Sequence, residues 1–152
     1  AGSSAATYAN SIYILAKTPS GARTIFLPAL STVSAGDKIV FVVAEQSGTG
    51  SNIVTISEAT DSDTNTIFGC VTMVGGGDSV TGQKMTDLIA STGDAIGVTT
   101  IALSADTSGD DAGTEGSVLT FTCIGSTTKY WLLTGIVKTL DPGSTGATFF
   151  GA

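Results

Sequence analysis

At 152 residues the chain is one domain's worth, long enough to bury a core without needing disulfides or a metal. Only 12% of its residues are charged, and the polar remainder is mostly Thr, Ser and Gly, a surface that suits either a chain covered by neighbours or a secreted β-domain. Thirteen acids against six singly scattered bases give a net charge of −7, which repels phosphate backbones and anionic lipid and argues against nucleic-acid or membrane partners.

Taken in order, residues 1–11 (AGSSAATYANS) are small, uncharged and without pattern, and are expected to form a flexible arm. They lack the basic region of a signal peptide; an initial Ala fits removal of a start Met, or cleavage from a longer precursor. No apolar run approaches the roughly 20 residues of a membrane-spanning helix. A β-domain is expected over 12–140 and an apolar-ended tail over 141–152.

Within 12–140, runs rich in Val, Ile, Thr and aromatics predict strands at 12–16, 23–27, 38–44, 52–57, 66–74, 98–103, 117–123 and 129–137. In SVLTFT, Val118, Thr120 and Thr122 alternate with Leu119, Phe121 and Cys123, an apolar-in, polar-out pattern. The continuous run at 39–44, IVFVVA, implies a strand covered on both sides, by a second sheet or a neighbouring subunit. SAGDK (34–38), QSGTGS (46–51) and IGSTTK (124–129) read as turns. Strands of this spacing predict an all-β fold, an antiparallel sandwich or partly open barrel. Segment 83–91 (QKMTDLIAS) spaces Met85, Leu88 and Ile89 helically, so a helical turn or two competes there with a short strand. Segments 74–82 and 104–116 are Gly-rich loops, the second carrying Asp106, Asp110, Asp111 and Glu115.

The chemistry is sparse. There is no His, hence no Ser-His dyad, imidazole base or His-ligated zinc. Cys70 and Cys123 each lie in an apolar run and read as buried free thiols, with a cross-strand disulfide as the alternative. Asp110 and Asp111 stand side by side in a Gly-rich loop, unlike the separated, partly desolvated carboxylates of a glycosidase. The triple Gly at 75–77 lacks the GK[ST] ending of a phosphate loop. No enzyme activity and no cofactor is expected.

Asp61, Asp63 and Asn65 match the first three ligand positions of an EF-hand loop. Thr66 stands where that loop needs Gly and Thr72 where it needs Glu, so the motif fails. Turn capping by the three side chains is the reading adopted, and a looser calcium site is the alternative. Trp131 is expected in the core, with sugar stacking by Trp131 or Tyr130 as the rival role. Candidate partner contacts are Tyr8 in the arm and the adjacent Phe149 and Phe150 in the tail, which must bury against the domain or a partner.

Across residues 36–137 the order of motifs carries a resemblance. A strand follows Gly-Asp (GDKIVFVVA), then NIVTIS, then TIFG at 66–69; later GDAIGVTTIALSAD leads through the acidic loop to GSVLTFTCIGSTTKYWLLTG. This pattern resembles small β-rich virion proteins of tailed phages, the capsid decoration (cement) proteins and related head or tail appendage domains. The resemblance implies a non-enzymatic structural protein, made in the host cytoplasm and carried on the virion. Its partners would be the major capsid protein and itself, as a homotrimer clamping neighbouring capsid subunits. It carries over no functional residue. A tail or head-fibre appendage is the nearer alternative, and a secreted carbohydrate-binding or adhesin module the more distant one.

Overall fold

The computed structural model describes residues 3–16, 20–45, 53–58, 67–75, 84–87, 99–104, 113–139 and 150–151. Their strands are β1 (Ser3–Ala6), β2 (Ser11–Leu15), β3 (Arg23–Phe26), β4 (Lys38–Val43), β5 (Val54–Ser57), β6 (Ile67–Gly75), β7 (Lys84–Asp87), β8 (Thr100–Leu103), β9 (Val118–Ile124), β10 (Tyr130–Thr139) and β11 (Phe150–Gly151). A 3-10 turn, Leu30–Thr32, precedes β4.

The strands form two open sheets, not a closed barrel: β1-β3-β5-β8-β11 and β2-β4-β9-β10-β6-β7. One apolar core fills the space between them. Val54, Ile56, Ile101 and Leu103 come from the five-stranded sheet, and Ile39, Phe41, Leu119, Phe121, Trp131 and Leu133 from the six-stranded one. Alternation makes this work, since β9 buries Leu119, Phe121 and Cys123 while its intervening residues face outward. Each large apolar side chain so buried contributes about 1.5–3 kcal/mol. Phe41 sits at the centre, stacked on Tyr13 at 5.5 Å and edge-on to Phe121 at 5.8 Å.

The all-β sandwich is as expected, but its sheets are mixed in strand direction and not wholly antiparallel. Pairs β1–β3, β3–β5, β2–β4 and β6–β10 are parallel. From β1 to β6 the chain alternates between sheets, so consecutive strands rarely neighbour each other. A strand that leaves one sheet and returns two strands later comes back in the same direction, which is why the neighbours are parallel.

Three further expectations are corrected. Part of the stretch read as an arm is sheet: Ser3–Ala6 pairs in register with Arg23–Phe26, and Thr7 caps that pair through Phe26 O, its N–H donating at 3.0 Å and its hydroxyl at 2.8 Å. The helical spacing at 83–91 gives way to a strand over Lys84–Asp87, because β6 offers it an antiparallel ladder. Both cysteines are free, yet only Cys123 is buried; Cys70 is half-buried.

Two glycines hold the six-stranded sheet together by what they lack. Gly69, in β6, has φ +140° and Gly135, in β10, has φ +152°. A Cβ on Gly69 would lie 2.0 Å from Leu133 O, and one on Gly135 would lie 2.1 Å from Val118 O. They are the last residues of TIFG and YWLLTG, so the motifs that carry the resemblance mark close backbone approach.

Candidate functional site

Of the residues singled out from the sequence, Tyr8 is best placed to meet a partner. It lies in the crossover from β1 to β2 with 75% of its surface exposed, and its N–H donates to the Tyr13 hydroxyl at 2.7 Å. Phe150 opens β11 opposite Ile101. Phe149, Asp61, Asp63 and Asn65 lie outside the described residues. Among the described residues no cluster of three or more His, Cys, Asp or Glu could hold a metal, and no helix is long and apolar enough to cross a membrane.

Trp131 is fully buried, which removes it from any surface ligand. Tyr130, one residue earlier, takes the opposite face by alternation and packs edge-on against Phe68 at 5.6 Å.

The crossover holding Tyr8 is clamped to the turn before β4. Asn10, at φ +57°, occupies a left-handed conformation that Asn tolerates better than most residues. Its Nδ2 donates to Asp37 Oδ1 at 2.7 Å, while its Oδ1 accepts from the Lys38 N–H at 3.1 Å. Asp37 Oδ2 accepts from the Ser34 N–H at 2.8 Å. These bonds favour the ionised carboxylate, the Ser34 amide most, and hold Asp37 below its ordinary value. The stability they supply is therefore complete above the unfolded-state value of 3.8 and is lost as pH falls through the lower folded value. Wild-type denaturation midpoints should drop between neutral pH and pH 3 more steeply than those of Asp37→Asn; equal slopes would refute the assignment.

At the same end of the sandwich, Lys129 Nζ donates to Leu30 O at 3.2 Å and to Val33 O. It ties the β9–β10 turn to the segment of the 3-10 turn that precedes Asp37. Burial pushes the nearby Cys123 thiol above its ordinary value and makes it a poor nucleophile.

The feature that sequence reasoning missed is the outer face of the six-stranded sheet. Ile12 (69% exposed), Ile14 (64%), Val118 (37%) and Ile136 (50%) all lie on it. Register joins them in rows: Ile14, Val42, Val118 and Ile136 run across four strands, with Ile12, Val40, Thr120 and Thr134 beside them. With Tyr8 they are the exposed large hydrophobics among the described residues. Alternation in the sequence announces two faces but not which one the second sheet covers; apolar residues at every position of 39–43, read above as a strand covered on both sides, were the available signal.

Comparison with protein-family models, with curated proteins and with solved structures finds no match. The geometry therefore stands on its own: a clamped crossover presenting Tyr8, and a broad apolar sheet face.

Proposed function

We propose that the chain is a structural virion protein, binding the outer surface of an icosahedral phage capsid and clamping neighbouring capsid subunits. It works as a homotrimer and by contact, without chemistry on a substrate. The observation that carries this reading is the apolar outer face of the six-stranded sheet, on a chain whose charged fraction is only 12%. Monomers that live free in solution rarely leave so continuous an apolar surface open. The order of motifs over 36–137 supports the same reading, including the TIFG and YWLLTG glycines that draw β6, β9 and β10 together.

Ser3–Ala6 is part of the sheet, so the reading rests on the folded sandwich and the exposed Tyr8 rather than on a detached arm. Immunogold electron microscopy of purified particles, with antibody against this chain, tests the proposal. Label spread evenly over heads is expected. Label confined to tails or one vertex would move the chain to an appendage role, and unlabelled particles would overturn the virion reading.

A further inference from the structure

We propose that the outer face of the six-stranded sheet packs against other copies of this chain, so that self-association closes over Ile12, Ile14, Val118 and Ile136. The inference rests on the structural-protein reading above and adds the surface through which copies meet.

Three observations select a second copy as the occupant. The first is charge. Copies of net charge −7 repel one another over most of their surface. The described central rows of this face, from Ile12 and Ile14 across to Cys70 and Thr72, contain no charged residue, so repulsion between copies is weakest here.

The second is the rim. Backbone bonds from Gly116 to Val43 O and from Thr114 to Lys138 O bring Glu45, Glu115 and Lys138 to one end of the face. The ladder of β4 with β9 puts Asp37 and Lys38 at the other. Each end thus presents both signs, and a neighbouring copy finds unlike charges there in either strand direction. An apolar centre inside a polar rim is the anatomy of a specific interface.

The third is size. Five strands at about 4.8 Å spacing, with about 20 Å of strand length, make a face of roughly 450–500 Å² in projection. Protruding side chains raise the accessible area towards the ~800 Å² per partner of a stable standard-sized interface.

The test uses the full chain and its mass in solution, by size-exclusion chromatography with light scattering over a range of concentrations. A mass that is a multiple of 15.1 kDa is expected. Ile136→Glu and Thr134→Glu should each weaken self-association on the order of 100-fold, the size of a hot-spot loss. Thr134 is exposed on the face turned away from the core, so its variant is expected to keep the sandwich folded. Cys70, aligned with Thr134, supplies a second readout: its alkylation should be slow in the wild-type oligomer and fast in either variant.

A wild-type mass of 15.1 kDa at every concentration, or an oligomer indifferent to both variants, overturns the proposal. So does a wild-type monomer whose face variants lose particle binding, which would give the face to a shell protein. An oligomer broken by the variants while no particle is labelled keeps this inference and removes the virion reading.

Discussion

Gly135→Ala is expected to lower the unfolding free energy by about 3–4 kcal/mol, and Gly69→Ala by a similar amount. Two costs add. The first is conformational: at φ +152° and +140° a Cβ is held where L residues are strained, at roughly 1–2 kcal/mol each. The second is steric and cannot be relieved by a rotamer. The new methyl on Gly135 would meet Val118 O at 2.1 Å and Leu119 Cα at 3.1 Å, and both atoms are backbone of β9. Relief requires β9 and β10 to part, at about 1 kcal/mol for each ladder bond lost. For Gly69 the obstacle is Leu133 O on β10, so the same strand suffers from its other side.

Losses of this size consume much of the 5–15 kcal/mol typical of a domain, so the double variant should not fold. Gly21→Ala is the control, because nothing lies within 4 Å of its added Cβ. Urea denaturation of the three variants reads the difference. A change below about 1 kcal/mol at both Gly69 and Gly135 would mean that β10 does not lie where this register puts it.

The strands themselves were legible. All eight predicted runs contain strands, because Val, Ile, Thr and aromatic residues in alternation have few other uses in a chain of this size. SVLTFT is the plainest case, since the residues assigned inward, Leu119, Phe121 and Cys123, are fully buried. Strand direction was not legible. Alternation specifies the two faces of a strand but not its neighbour, and the four residues between β1 and β2 cross to the opposite sheet where the five between β9 and β10 close a hairpin. The consecutive pairs β6–β7 and β9–β10, the latter closed by IGSTTK, kept the expected antiparallel order, as did β4–β9, β5–β8 and β8–β11 across the chain.

Ser3–Ala6 escaped for a related reason. Its small residues carry no hydrophobic signal, and its place is set by the open edge of β3. At Lys84–Asp87 local spacing and tertiary pairing disagree, and the β6 ladder wins. The candidate surface was hidden in the same way. Ile12 and Ile14 alternate with Tyr13 as any half-buried strand would, and only the fold reveals that the apolar pair faces out while Tyr13 stacks on Phe41.

Trp131 offers the sharpest separation of packing from ligand binding. Trp131→Ala should cost about 3–5 kcal/mol, the range for removing a large buried aromatic whose surroundings collapse only in part. The indole is fully buried, aligned with Cys123 on β9 and Ile67 on β6, so its loss opens the centre of the six-stranded sheet's inner face. Trp131→Phe should cost much less, about 1–2 kcal/mol, even though it also reduces volume. Among the described residues no group accepts the Trp131 Nε1–H, so Phe deletes a buried donor that gives nothing back, and this offsets part of the lost packing. A surface sugar site would behave differently, with Trp131→Ala abolishing glycan binding at unchanged stability. If Trp131→Phe proved as costly as Trp131→Ala, the Nε1–H would have a partner after all, and a polar role for this side chain would return.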